Sequence, residues 1–580
     1  MASINSSLGK SIVHSVVIGH FLVPWRTSFK QQDNQNLGHL QGRTRLRKVD
    51  PEKACMGRTT RIARVSARGG FNLFWGLVVS NVISAISTIV VARMLSPAEY
   101  GLVGVASAAP GLIALFRDWG MDTAMVRHIA QLRSEDDPTG VRNTILAGLT
   151  FMLLGGLLLS VISFFLSGIL AAEVFHRPEM TSLIRVSSFV IFAGALLLAL
   201  ESVFAGFEEM SYRSLVLVSQ ASLKVILSPL LIVFGLGALG AVLGATLSTL
   251  LAGSVGISLL YFFLYRKLRK RVESHLELTV TIKTMLRYGL PLFISGIVGG
   301  FLAQFNNFLT AIYCTDQAIG NYSVAMNFTT LISFFSLPIA SVLFPAFSKL
   351  DSEKDKEALA TVFRLSVKYG TLLVVPAATA IMILSPLAVA TLFGTKYGDA
   401  PLYLTLLSFG ALYTALGNLS IGSFINSRGR TGLSMRLALV YSAMGFPLGL
   451  VLISRFQILG LITANLITGI PSLLLGLWLI KRYWGATIDY YASAKTLAAS
   501  ALAALVTYIA VRTVVLPDWL LLFMGALLFL AIYVLTVPLV GALDREDIKT
   551  MQEMIKELGP LSRFLHKPID LMNRLTRSKG

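Results

Sequence analysis

The stretch YRKLRKRVESHLELTVTIKTMLR, Tyr265 to Arg287, is the strongest internal charge break in an otherwise apolar chain. Either side of it, the sequence repeats itself. LGALGAVLGATLSTLLAG, from Leu236, lies over FQILGLITANLITGIPSL, from Phe456, so that Leu239-Gly240 falls on Leu459-Gly460. The same shift, within two residues, puts PAEYGLVGVAS (from Pro97) over AIGNYSVAMNF (from Ala318), SEDD (from Ser134) over SEKD (from Ser352), and FAGFEEMS (from Phe204) over FINSRGRT (from Phe424). Each match is weak by itself, but four at one offset point to two parallel repeats joined by a basic linker and followed by an unrepeated C-terminal piece.

Composition sets the solvent. With 54% hydrophobic residues, 14% charged residues and a mean hydropathy of +0.71, a 580-residue chain cannot hide its apolar surface in a water-soluble core. It belongs in lipid. Two cysteines, Cys55 and Cys314, exclude a disulfide framework or a cysteine-based metal cluster, and the seven histidines show no pair at ligand spacing. No metal, cofactor or catalytic residue is expected.

A spanning helix needs about 20 apolar residues. Fourteen candidates meet this: about 70 to 92, 99 to 119, 143 to 168, 184 to 206, 214 to 235, 238 to 263, 288 to 312, 318 to 347, 366 to 393, 401 to 426, 434 to 454, 457 to 480, 496 to 515 and 519 to 541. When the connections alternate sides, 43 of the 50 Lys and Arg residues fall on one side. Six fall on the other (Arg93, Arg177, Arg185, Lys396, Arg455, Arg512), and Lys224 lies within a span. That bias predicts an even number of spans with both termini cytoplasmic, and the expected location is the plasma membrane. The net charge of +20 is thus a topology signal, and no nucleic-acid partner is expected.

The expected organisation is a basic, unstructured extension over 1–68, a six-helix lobe over 69–264, the linker 265–287, a second six-helix lobe over 288–484, helices 13 and 14 within 485–543, and a basic tail over 544–580. Met56 would make a natural start for the chain, so residues 1–55 are either an extension or untranslated. The apolar run Ile12 to Val23 is too short to span and is at most a weak signal-peptide core. In the tail, Ile548, Met551, Ile555 and Leu558 recur at helical spacing among basic residues, which fits a helix lying on an anionic leaflet or a solvated tail.

Polar groups at membrane depth are candidate site residues, because burying one without a partner costs several kcal/mol. Glu201 and Lys224 come out at depths of roughly 8 and 15 Å by helix rise, and so are close enough to pair, as a structural ion pair or as a cation- or proton-coupling site. Asn81 in the first span, and Gln304, Asn306 and Asn307 in the corresponding seventh, offer amides to a hydrogen-bonding sugar or to neighbouring helices. Asn327, Asn418 and Asn465 are further amides of that kind. Arg117 and Arg127, with Asp118 and Asp122, fall at the inner mouth of the second span, as a solvated helix end or as phosphate contacts. Prolines at 110, 229, 291, 338, 376, 386, 447 and 471 interrupt spans, which suits a transporter.

ARMLSPAEYGLVGVAS (92–107), DWGMDTAMVRHIAQ (118–131), LFPAFSKL (343–350) and LFGTKYGDA (392–400) resemble the polysaccharide flippases of the multidrug, oligosaccharidyl-lipid and polysaccharide exporter superfamily. The resemblance runs from about Gly70 to Trp484. It implies a V-shaped pair of six-helix lobes with spans 1, 2, 7 and 8 lining a central cavity, and alternating access that flips a lipid-linked oligosaccharide to the outer leaflet. Membrane lipids and the glycan polymerase or glycosyltransferases of the same pathway are its implied partners. Lipid II flippases of this superfamily hold pyrophosphate with arginines in helix 1, whereas this first span has no charge between Arg68 and Arg93. Other readings are a small-molecule antiporter, or a membrane enzyme or scaffold. An enzyme would be expected to show clustered Asp, Glu or His in a sizeable loop, and no loop here offers that.

Overall fold

The computed structural model describes residues 51–269, 277–348, 355–543 and 547–548, and among them there are helices and no strands. All fourteen expected spans fall on helices. In the first half these are α1 (Pro51–Met94), α2 (Pro97–Ala114), the short α3 (Met121–Ser134), α4 (Pro138–Ile169), α5 (Thr181–Gly206), α6 (Met210–Leu231) and α7 (Gly237–Leu259). The second half has α8 (Leu278–Tyr313), α9 (Asp316–Ser348), α10 (Lys356–Phe393), α11 (Ala400–Ala411) with α12 (Asn418–Ser427) as one crossing bent by 52°, and α13 (Thr431–Trp484), which holds two crossings. Crossings 13 and 14 are α14 (Tyr490–Thr513) and α15 (Asp518–Val540), and both pack on α10.

Local chemistry sets the boundaries. Ser96 caps α2 in a capping box: its hydroxyl accepts from the Glu99 backbone N–H, and the Glu99 carboxylate accepts from the Ser96 backbone, with Pro97 in the first turn where no N–H is needed. Asp137 caps α4 through Gly140 N at 2.9 Å. Two expectations change. Residues 51–68 are the start of α1, which runs on through Gly69-Gly70, a pair that reads as a break in sequence, into the span. The second crossing is helical only to Ala114, and a turn at Trp119-Gly120, both with positive φ, restarts the chain as α3. Residues 1–50, and the tail apart from 547 and 548, lie outside the described residues.

The repeat is visible in the backbone. At the turn between α6 and α7, Gly237 has φ 49 and ψ −130; at the break inside α13, Gln457 has φ 52 and ψ −129. Both are left-handed conformations at corresponding positions, and one of them is occupied by a non-glycine residue. Packing follows the same symmetry: α1 lies along α6 as α8 lies along α13, and α4 packs on α5 as α10 packs on α11.

The distribution of apolar cores gives the shape. We call the end that carries most of the Lys and Arg connections the basic face, and the other the far face. At the far face one core joins both halves, from Val91, Val105, Ile184 and Val242 to Leu309, Val324, Phe393 and Ile462. At the basic face there are two. One belongs to the first set together with the basic end of α8, whose Met285 is buried in it and whose Leu278, Ile282, Leu286 and Tyr288 pack against it, and the other, around Phe347, Phe363 and Phe424, to the second set alone. The sets share one core at the far face, whereas at the basic face their cores are separate and α8 bridges them, its Gly289 abutting Gly120 and its Tyr288 ring under Arg127.

Candidate functional site

The seam between the two sets is where the predicted polar residues have to be tested. On α8, helical rotation of about 100° per residue divides three nearby amides. Asn306 is buried and its Nδ2 donates to Asn465 Oδ1 of α13 at 3.4 Å. Asn307 is exposed and donates to Gln304 Oε1 at 3.4 Å, and that oxygen lies 2.9 Å from where a Cβ on Gly111 of α2 would sit. Gln304 and Asn307 therefore stand on the seam, and Asn306 serves the second set's interior. Asn81 is half-buried on α1, which packs lengthwise on α6, so the structure does not bring it to the α8 amides.

The expected Glu201–Lys224 pair does not form. Glu201 sits five residues from the end of α5, about 8 Å in, whereas α6 begins at Met210 and carries Lys224 about 21 Å from that end. Arg213, one turn into α6, is level with the carboxylate instead and holds Glu201 Oε2 through Nη2 and Nε, both at 3.1 Å. Lys224 lies near the depth of Ser87 of α1, given that Gly76 abuts Ser214 and Ser80 donates to Leu217 O. It has no hydrogen bond or ion pair among the described residues.

The two arginines part company. Arg117 runs into the first set, its guanidinium beside Gly194 of α5 and its buried Nε without a hydrogen-bond partner among the described residues. It is not on the seam. Arg127 is: its guanidinium lies 4.2 Å above the Tyr288 ring of α8, beside Trp119 stacked on Phe293. A cleft of about 470 Å³ opens there, lined by His128, Asp137, Asn143, Glu277, Thr281 and Thr284 together with the apolar Leu132, Val280 and Met285.

Sequence reasoning missed the far-face seam. Arg177 Nη1 pairs with Asp316 at 3.0 Å and Nη2 donates to Cys314 O at 2.6 Å. Lys396 Nζ donates to Leu95 O at 2.5 Å and Arg93 O at 2.8 Å, and Tyr397 donates to Ala92 O at 2.7 Å. Burial raises the pKa of Asp316, opposed by Arg177 and assisted by Glu179, and lowers that of Lys396, opposed by Glu99. It pushes the Cys314 thiol up to about 12. Arg177 and Lys396 were visible only as two of the few far-side charges.

Two related helix sets that share one core at the far face and keep separate cores at the basic face have the architecture of a multi-pass membrane transporter. Residues 66–351 match the family model described as polysaccharide biosynthesis protein. An uncharacterized membrane protein of Methanocaldococcus jannaschii is 22% identical over 60% of this chain and 71% of its own length. The probable low-salt glycan biosynthesis flippase Agl15 of Haloferax volcanii is 25% identical over 32% of this chain and 39% of its own. Among solved structures, the lipid II flippase MurJ in an inward closed conformation covers 80% of this chain and 98% of its own at a TM-score of 0.66 and 15% identity. An inward-facing multidrug resistance MATE transporter covers 71% of this chain and 98% of its own at 0.58 and 18%. At these identities the structural likeness is one of fold. The family-model match, the similarity to Agl15 and the fold shared with MurJ support a polysaccharide flippase family for the chain.

Proposed function

We propose that the protein flips a polyprenyl-linked oligosaccharide from the cytoplasmic to the outer leaflet of the plasma membrane, with both termini cytoplasmic, for synthesis of a surface glycan. The observation that carries this reading is the pair of separate cores at the basic face against one shared core at the far face. With the basic face cytoplasmic, the contacts of α8 on the first set at that face are the ones that part to admit the lipid-linked glycan. Lobes 69–264 and 288–484 then rock about the far-face fusion, with 265–287 as their linker.

A glycan cannot cross about 30 Å of hydrocarbon unaided. Gln304 and Asn307 offer hydrogen bonds to it on the seam, and Asn81 offers another from α1. Arg127 at the cytoplasmic mouth and Lys224 within the membrane are the cations suited to a phosphate headgroup, whereas the inward course of Arg117 suits a structural role. A glycan polymerase or glycosyltransferase acting on the same lipid is the expected partner.

The test is flipping of a labelled polyprenyl-pyrophosphate glycan in proteoliposomes, comparing the parent with Lys224→Gln and with a Gln304→Ala, Asn307→Ala variant at matched protein. Each is expected to slow flipping about tenfold or more, the loss of one hydrogen bond to a charged group or of two neutral ones. A parent that moves cationic drugs and no lipid-linked glycan would replace this function with an antiporter's.

A further inference from the structure

The far-face contacts obey one rule of register. Arg177 and Lys396 are 219 residues apart, and so are Leu95 and Cys314, Pro97 and Asp316, and Gly101 and Gly320. Arg177 donates to the Cys314 carbonyl, and Lys396 donates to the Leu95 carbonyl. A Cβ on Gly101 would run into the Asp316 carbonyl, and one on Gly320 into the Pro97 carbonyl. Each contact is thus the other's copy, exchanged between repeats. The loop between crossings 3 and 4 of each set grips the turn between the first two crossings of the other set, and the two glycines meet where the pseudo-two-fold axis passes.

We propose that this reciprocal clasp is the outer gate, and that release of the Arg177 and Lys396 halves is what opens the pathway to the outside. The inference rests on the orientation given above. Its basic side chains Arg177 and Lys396 each grip a backbone carbonyl at the very end of a crossing of the other set, and Asp316 pairs with Arg177, so the clasp resists separation of the lobes. Arg93 reinforces it by donating to Leu392 O at 2.7 Å. The tight glycine crossing sets the closed distance, because two backbones approach closely only without side chains.

Cys314 reports on the clasp directly. It is 2% exposed, Arg177 holds its carbonyl, and with Cys55→Ser it becomes the sole thiol. Intact cells carrying that parent would be treated with a membrane-impermeant maleimide, alongside Arg177→Gln, Lys396→Gln, the double variant and the conservative Arg177→Lys. The parent is expected to label slowly and each glutamine variant several-fold faster. The double should label about tenfold faster or more, as expected for loss of charge-assisted bonds on both sides, and Arg177→Lys close to the parent. Arg512→Gln, a far-face charge outside the clasp, should leave the rate unchanged.

Gly101→Ala wedges the same seam without removing a charge and should also speed labelling. It decides the matter if the double variant fails to fold. A folded double variant, or Gly101→Ala, labelling at the parental rate overturns the clasp. The readout needs no substrate, so failure of the glycan assay leaves it standing, whereas labelling only in inside-out vesicles would overturn the orientation and with it the outer assignment.

Discussion

Gln457 occupies a backbone conformation that its repeat partner fills with glycine. At φ 52 and ψ −129 a side chain crowds its own backbone, and a residue held in so sparse a region carries roughly 1–3 kcal/mol of strain. Gln457→Gly removes it. The glycine also frees the unfolded chain, which gives back about 0.5–1 kcal/mol. The side chain is exposed and makes no hydrogen bond among the described residues, so no contact is lost. The net expectation is a stabilisation of about 0.5–2 kcal/mol, or roughly 1–8 °C in the melting midpoint of a cooperative unit the size of one helix set. The mirror experiment is Gly237→Gln, which installs the same strain and sets a Cβ 3.3 Å from Glu99 Oε1, the carboxylate of the α2 capping box. It should lower the midpoint by a similar or larger amount. Both can be followed by circular dichroism of the purified protein in detergent. A lower midpoint for Gln457→Gly, together with no cost for Gly237→Gln, would refute the strain reasoning and the claim that the two turns are equivalent.

The Glu201–Arg213 pair predicts that Arg213→Met costs about 1–3 kcal/mol in folded stability and that adding Glu201→Gln recovers most of it, while Lys224→Met combines additively with either; coupling of Lys224 to Glu201 in a double-mutant cycle would restore the pair expected from sequence. The Cys314 thiol, raised to about 12 from an ordinary 9.0, should be alkylated about tenfold faster per pH unit well past pH 9, where an exposed thiol levels off. The sign follows from burial disfavouring the thiolate, so the reactive form keeps growing until the raised pKa is passed. A plateau near pH 9 in the folded protein would mean that Cys314 is open to water.

Much of the fold was legible because a membrane forces the chain to show its period. Apolar runs of spanning length, the Lys and Arg bias and the match of Leu239-Gly240 to Leu459-Gly460 give the crossings and the repeat, and the paired dihedrals at Gly237 and Gln457 lie at that same shift. Depth was less legible. Beginning the fifth span at 214 places Lys224 beside Glu201, but α6 starts four residues earlier, and about 6 Å of extra rise hands the carboxylate to Arg213. Direction was not legible at all: Asn306 and Asn307 are adjacent in sequence yet face the lobe interior and the seam, because a helix turns about 100° between them.

The clasp escaped for a different reason. Its acceptors are main-chain carbonyls, Leu95 O and Cys314 O, and side-chain patterns carry no mark of which carbonyls a distant lysine or arginine will reach. One trace of it does exist in the sequence. Placing PAEYG from Pro97 over the segment from Ala318 sets Gly101 against Tyr322, but moving that alignment by two residues sets it against Gly320, the residue it meets in space. In a protein of two parallel repeats, equivalent residues touch only where the symmetry axis passes between them. Two equivalent glycines with no room for a Cβ on either therefore locate the axis, and Arg177 and Lys396, the basic residues that tie one set's loop to the other set's turn beside it, are the ones whose loss should part the lobes.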